Sequence, residues 1–290
     1  MNQDKQAVLY GLGAVALWST VATAFKVALA WMSPLELMWL AAFVSWALMG
    51  ALVIKQGNIS TALHSGWKTA AWAGLMNPVA YYLVLFAAYD RLPGQEAMAL
   101  NYTWALAMAF LAVPLLGQRL TRIDIVAGFV AYAGVWVIAT RGSVFNVSFA
   151  DPLGVVLALA STLLWALYWL LNARDKRQPL VGQWQNFSVG LPVLTVLLLL
   201  GPGVQWHGWP AFGAGVYVGL FEMGVAFILW QLAVHQVSRT AKVSNLIFLS
   251  PPVSLFLLYL VVGEPILPST LVGLVLILLG LGLQQAQKSS

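Results

Sequence analysis

Ten stretches of roughly 20 predominantly apolar residues follow one another along this chain, separated only by short charged or Pro/Gly-rich breaks. A stretch of that length spans the hydrocarbon of a bilayer as an α-helix, which satisfies every backbone N–H and C=O internally. The stretches cover 7–30, 34–54, 66–89, 94–116, 123–140, 152–172, 182–200, 209–234, 240–262 and 268–285. Their loops are too short to house separate chemistry. Composition agrees: 61% of the residues are hydrophobic and 8% charged, where a soluble protein carries roughly 25% charged residues. A soluble two-domain protein is thereby excluded. So is a disordered or nucleic-acid-binding chain, despite a net charge of +5. The sequence predicts an all-α integral membrane protein whose main surroundings are the lipid bilayer. It contains no cysteine, which excludes disulfides and thiolate chemistry. The first apolar stretch runs past the length of a cleavable signal peptide, so none is expected.

Basic residues in short loops orient such a chain, with Lys and Arg retained in the cytoplasm. A cytoplasmic N-terminus puts Lys5, Lys55, Lys68, Arg119, Arg122, Arg174, Lys176, Arg177, Arg239, Lys242 and Lys288 on that side, 11 of the 14 basic residues. Lys26, Arg91 and Arg141 remain elsewhere. Both termini are therefore expected inside, in a bacterial cytoplasmic (inner) membrane. Trp31, Trp67, Trp206 and Trp209 fall near span ends, where indoles sit at headgroup level.

The second half of the chain slides over the first in a weak but ordered match. GAVALWST around Trp18 lies over ALASTLLW around Trp165 at an offset of 147, and GLMNPVAYYLVLFAA from Gly74 over GLFEMGVAFILWQLA from Gly219 at 145. LLGQRLT, with Gly117, lies over VVGEPIL, with Gly263, at 146, and Gly128 lies over Gly273. The expected halves are 1–146 and 147–290, one membrane domain built from two five-helix repeats. An odd number of spans makes the copies enter the membrane in opposite directions, an arrangement that places a transporter's substrate near the midplane between repeats.

The W-S-T of Trp18 to Thr20, the LGQRLT and VGEPIL segments and the NLIFLSPP run in the ninth span resemble the EamA branch of the drug/metabolite transporter superfamily, over nearly the whole chain. Asn101, Tyr102, Thr103 and Trp104 are similar to the fourth helix of aromatic amino acid exporters of the YddG type, with Ala105 where that pattern continues with Pro. The resemblance implies ten helices around a central cavity lined by helices 1, 3, 4, 6, 8 and 9, moving small organic solutes by alternating access.

An ionisable group deep in a span costs about 2.5 to 3.5 kcal/mol on insertion scales and needs a partner, a watery cavity or a function. Glu222 lies midway along the eighth span, with Ala226 and Trp230 at i+4 spacing on one expected face. It would bind an amino group, or couple transport to protons because burial disfavours its charged form. Asn77 is its repeat mate, followed by Pro78, which should kink the third span and free a carbonyl, and by Tyr81 and Tyr82, of which one is expected to reach the lumen. Trp18, Ala22 and Lys26 make one stripe on the first span, with Lys26 at the outer mouth, there to snorkel, attract a carboxylate or pair with Glu222. Trp165, Trp169 and Asn172 form a stripe on the sixth span, and Asn101, Trp104 and Met108 one on the fourth. Indoles facing one another across a lumen suit a flat or apolar-bodied solute. Asn245 and Pro251-Pro252 mark an expected break in the ninth span. The substrate-binding candidates are thus Trp18, Asn77, Tyr81, Asn101, Trp104, Trp165, Trp169, Glu222, Trp230 and Asn245. Gly215-x3-Gly219 reads as close helix packing.

His64, His207 and His235 are scattered, and no H-E-x-x-H, G-x-S-x-G or P-loop occurs, so no enzyme, metal or cofactor is expected. A channel would favour a ring of like groups; one midplane carboxylate within a repeat favours a carrier. The expected activity is secondary transport of a small amphipathic metabolite, export of an amino acid first, with import or facilitated movement of a nucleoside, vitamin or amine as the alternative. Monomer and weak homodimer are both compatible with the sequence.

Overall fold

The computed structural model describes residues 3–117, 121–143, 151–172, 175–201, 203, 205–236 and 245–288. Among them, seven helices are long and apolar enough to cross a membrane and three shorter apolar ones follow the same pattern, with positions that match the ten stretches. They are α1 (Gln3–Leu29), α2 (Pro34–Lys55), α3 (Trp67–Arg91), α4 (Gly94–Asn101 and Trp104–Leu116), α5 (Arg122–Ala139), α6 (Pro152–Asn172), α7 (Pro179–Leu200), α8 (Trp209–Tyr217 through Ala226–Gln236), α9 (Asn245–Leu249 through Leu258–Val262) and α10 (Pro268–Lys288). A short helix, Ile59–His64, links α2 to α3. Arg119, Arg174, Arg239, Lys242 and the start of the ninth stretch lie outside the described residues. Trp206 and Trp209 are 64% and 75% exposed, Trp31 52% and Trp67 36%.

Local chemistry sets several ends. Ser33 opens α2 with a capping box: its side chain accepts from the Glu36 amide, the Glu36 carboxylate accepts from the Ser33 amide at 2.8 Å, and Pro34 fills the first turn, where its missing N–H costs nothing. Pro179 starts α7 in the same way, three residues ahead of the expected boundary. Gly117 and Gly263 close α4 and α9 with φ of +66° and +76°, a conformation that suits glycine alone among common residues.

The helices are interrupted where the two halves correspond. α3 contains a π-helical segment, Leu75–Ala80, and α8 another, Val218–Val225; Asn77 and Glu222 lie in these segments. α4 breaks into a turn after Asn101, and the described part of α9 opens on a 3-10 segment, Asn245–Leu249. In α3 the cause is Pro78, whose ring excludes the ordinary ladder and leaves Asn77 extended at φ −140°, ψ 111°. The prolines of α9 act otherwise than the sequence suggests. Pro251 and Pro252 stand in the first turn of the segment Ser250–Leu257, where they initiate helix instead of disrupting it.

Among the close approaches is that of α5 to α10. A Cβ on Gly273 would lie 2.6 Å from the Gly134 carbonyl, and one on Gly280 would lie 2.6 Å from the Ala127 carbonyl. Ala127 and Gly273 are 146 residues apart, as are Gly134 and Gly280, one residue from the register that lays Gly128 over Gly273; at a spacing of 146 the two contacts exchange with each other. Gly219 brings α8 onto α2 in the same manner, 2.6 Å from the Ala41 carbonyl; Gly215, one turn earlier, faces Leu40.

Backbone cannot yield as a side chain can. Gly280→Ala is therefore expected to cost about 1–3 kcal/mol and to lower the unfolding temperature in detergent. Gly282→Ala, with open space around its Cβ, should leave it unchanged or raise it slightly. Equal effects at the two positions would show that close contact does not set stability there.

Candidate functional site

Glu222 is 9% exposed; among the described residues it has one hydrogen bond, from the Tyr82 hydroxyl to Oε1 at 3.3 Å, and Oε2 has no partner. Two sequence features place the pair. The π segment of α8 sits against α2, where Gly219 and Gly224 allow contact with Val44 and Leu48, and Tyr82 follows the α3 bulge by one turn. Tyr82 itself is buried at 1%.

Around this pair the rings of α1, α3, α6 and α8 form one continuous layer. Trp165 stacks on Tyr81, with centroids 4.4 Å apart, and meets Trp169 edge-on at 5.6 Å. Phe227 stands between the two repeat-related indoles, 6.0 Å from Trp165 and 5.9 Å from Trp18. Trp18 also meets Trp230 at 5.2 Å. Tyr81 and Tyr82 contact each other edge-on at 4.7 Å. Thr20 and the Tyr217 hydroxyl, 2.8 Å apart, tie α1 to α8 beside the layer.

The layer brings together six of the ten candidates: Trp18, Tyr81, Trp165, Trp169 and Trp230 by ring contacts, and Glu222 through Tyr82. The others fall elsewhere. Asn101 donates to Ser161 Oγ at 3.0 Å and lies beside the Tyr81 hydroxyl. The turn after Asn101 separates it from Trp104, so the expected stripe of Asn101, Trp104 and Met108 is not one helical face. Trp104 is half-buried where α4 resumes. Asn77 is fully buried without a hydrogen bond of good geometry, near the Tyr168 hydroxyl of α6. Its bulge presses on α7, since Gly190 is what leaves room for Pro78; the kink is there, but helix packing takes it up. The Asn245 side chain lies outside the described residues.

Two expectations change in detail. The π segment has a wider turn than an α-helix, so Glu222, Ala226 and Trp230 no longer share one i+4 face: Glu222 meets Tyr82 of α3 and Trp230 meets Trp18 of α1. Lys26 does not pair with Glu222. Its ammonium donates to the Tyr89 and Leu92 carbonyls at 2.9 and 3.1 Å, at the end of α3, where a helix presents unpaired carbonyls and partial negative charge. Of Tyr81 and Tyr82 the sequence expected one at the lumen and both join the layer, and Phe227 was not among the candidates. Tyr82 and Phe227 are repeat mates at an offset of 145, which was the available signal; the argument that neighbouring tyrosines point apart concealed it.

A second polar cluster closes one end of the bundle. Arg177 donates to Asp175 at 2.7 Å, to Asn186 at 2.9 Å and to Gln185 at 3.0 Å. Gln185 in turn donates to the Ala62 and Ser65 carbonyls at 2.7 and 2.6 Å. Gly66, at φ +86°, leaves the space that the Arg177 side chain fills. The Asn186 amide reaches the Tyr168 hydroxyl at 3.4 Å, so polar side chains continue from this cluster toward Asn77. A cavity of about 680 Å³ opens beside it, lined by Thr61, Ser65, Thr69, Lys176, Arg177 and Gln185 among others.

A helical membrane protein with a buried carboxylate in an aromatic layer, and a polar closure at one end, has the build of a solute carrier. The EamA-like transporter family model matches residues 5–140 and again 152–284, so this chain belongs to the EamA-like transporter family. It is a multi-pass membrane transporter of small molecules and not an enzyme. Aromatic amino acid exporter YddG of Ancylobacter novellus is 26% identical over 89% of this chain and 88% of its own length. A probable terminal-alkyne amino-acid exporter of Streptantibioticus cattleyicolor is 28% identical over 70% of this chain and 68% of its own. A crystal structure 22% identical superposes with a TM-score of 0.70 over 98% of this chain and 97% of that one, a likeness of fold.

Tyr82 and Glu222 should be energetically coupled. Tyr82→Phe leaves a buried carboxyl group without its partner and is expected to cost about 1–3 kcal/mol. In a Glu222→Gln background the same change should cost measurably less, as read by a double-mutant cycle on unfolding in detergent. Strict additivity would remove the pair as a unit.

Proposed function

We propose that this protein exports amino acids with flat or unsaturated apolar side chains across a bacterial cytoplasmic membrane, by alternating access between two inverted five-helix repeats, 1–146 and 147–290, with both termini in the cytoplasm. The observation that carries the reading is Glu222, buried among rings with one carboxylate oxygen unpartnered. A buried acceptor without a donor is costly, and a substrate ammonium group would supply the donor. Trp165 and Trp18, both half-buried, offer ring surface on which an apolar side chain can stack, each such contact worth about 0.5–1.5 kcal/mol beyond burial. Two relatives whose names specify amino-acid export support the substrate class.

The proposed coupling is a proton at Glu222: the group takes one up when substrate leaves and releases it when an ammonium arrives. Charge at the midplane is then never left uncompensated, which is the condition for crossing a low-dielectric layer. Asn101 and Trp169 border the proposed site, with Trp230 behind Trp18; Asn77, Trp104 and Asn245 are proposed as supporting positions.

In proteoliposomes, unlabelled phenylalanine on the trans side should accelerate uptake of labelled phenylalanine, which a simple pore would not show. Glu222→Gln is expected to abolish the pH dependence of that exchange, and Trp165→Ala to weaken phenylalanine binding about tenfold, roughly 1.4 kcal/mol. Unchanged pH dependence in an active Glu222→Gln protein would overturn the coupling. Exchange of nucleosides or amines in place of amino acids would overturn the substrate class.

A further inference from the structure

Three basic residues stand apart from the 11 that orient the chain, and the fold gathers all three. Lys26 of α1, Arg91 at the end of α3 and Arg141 after α5 line one cavity of about 390 Å³, with Leu92, Gln95 and Glu264. It lies at the end of the bundle opposite Arg177. The acidic groups around it are committed to the protein. Glu264 accepts from the Gly94 and Gln95 amides at 2.8 and 3.2 Å, capping α4. Asp151 accepts from the Gly154 amide at 2.7 Å and from Arg91 at 3.1 Å; the Gly154 amide first, and then Arg91, hold its carboxyl below the ordinary range. Glu96, 3% exposed, takes Arg141 Nε at 2.9 Å.

The cations are less fully used. A guanidinium has five N–H donors, and among the described residues Arg91 and Arg141 each spend one nitrogen on a carboxylate, with 44% of each side chain exposed. The contacts of Lys26 are two neutral carbonyls. An ammonium with two guanidinium groups around one cavity is the donor set that recognises a carboxylate through charge-assisted hydrogen bonds. Lys26 also lies two helical turns beyond Trp18 on α1, on the stripe that leads from the aromatic layer to this cavity.

We propose that the cavity is a carboxylate-binding vestibule, in which Lys26 supplies the charge and Arg91 and Arg141 supply further donors. That its physiological ligand is the carboxylate of a transported amino acid rests on the amino-acid reading above; the site chemistry requires only a monocarboxylate. The vestibule and Glu222 would then act in turn on one substrate, the vestibule on its carboxylate and Glu222 on its ammonium, because the two groups share one carbon and cannot reach both depths at once. Arg141 also neutralises buried Glu96, so Arg91 is the safer position to alter.

The test uses full-length protein in lipid nanodiscs, with Lys26 acylation by a small N-hydroxysuccinimide ester followed by mass spectrometry. Benzoate should slow labelling of Lys26 several-fold and leave Lys5 and Lys55 unaffected. Benzylamine should not protect. Arg91→Gln should raise the benzoate concentration needed for protection about tenfold, the effect of one charge-assisted hydrogen bond. Labelling of Lys26 unchanged by benzoate, or protected equally by chloride, overturns the proposal. Phenylalanine exchange measured on the same preparation separates the two readings. Protection without exchange keeps the vestibule and removes amino-acid transport, whereas exchange without protection removes the vestibule alone.

Discussion

Backbone polar groups inside a bilayer have no water to turn to, so a helix can be irregular there only where protein covers the irregularity. That constraint decides where this chain bends. The α3 bulge is covered by α7, with Gly190 against Pro78, and the α8 bulge by α2, with Gly219 against Ala41. Each break is thus matched by a small residue, either on the neighbouring helix or in the bulge itself. The same close contacts hold the polar groups that the breaks position: Asn77 is fully buried and Glu222 nearly so. Glycine in a helix costs about 1 kcal/mol relative to alanine, and its presence at these crossings reflects what close approach returns in packing.

Helix positions, class and family were legible because they rest on one-dimensional signals: the length of apolar runs, the spacing of charge and the repeat offset. The candidate site was half legible. Trp18, Trp165 and Glu222 stand out in sequence as bulky or ionisable groups at repeat-related places, and they do converge. What failed was every inference that ran a straight 3.6-residue stripe through a break. Asn101 and Trp104 are divided by a turn, and Glu222 and Trp230 by a π segment. A break rotates everything after it. The proline that causes the first π segment is visible in the sequence, whereas nothing comparable to Pro78 precedes Glu222, and only the repeat correspondence would have suggested it. Of the alternatives for Lys26 only the pairing with Glu222 fails, because its partners are main-chain carbonyls, which carry no side-chain signature.

The distribution of charge between the ends has a similar origin. Lysines and arginines that orient a membrane protein need only be on one side of it, and the 11 expected in that role here are spread over several loops. Lys26, Arg91 and Arg141 escape that role, and each is anchored by a specific acceptor: a helix end, Asp151 or Glu96. Arg177 shows that a residue counted for orientation can hold a local network as well.

In the proposed cycle the two ends must open in turn, and the strength of their closures bounds what a substrate has to do. Partly exposed ion pairs such as Arg91–Asp151 contribute about 0–1 kcal/mol each. The Arg177–Asp175 contact, with both side chains 10% exposed, is better shielded, and Gln185 adds two bonds to carbonyls of the α2–α3 connection. Moving a two-state equilibrium from 1:99 to 99:1 takes about 5.5 kcal/mol of differential affinity. A ligand that gains one charge-assisted bond at Glu222 and two or three ring contacts has interactions of that order available. It need not provide all of it, because every bond broken at one end can be answered by one formed at the other. The closures therefore need similar strength more than great strength, and two modest polar networks at opposite ends of an apolar bundle meet that requirement better than one permanent seal.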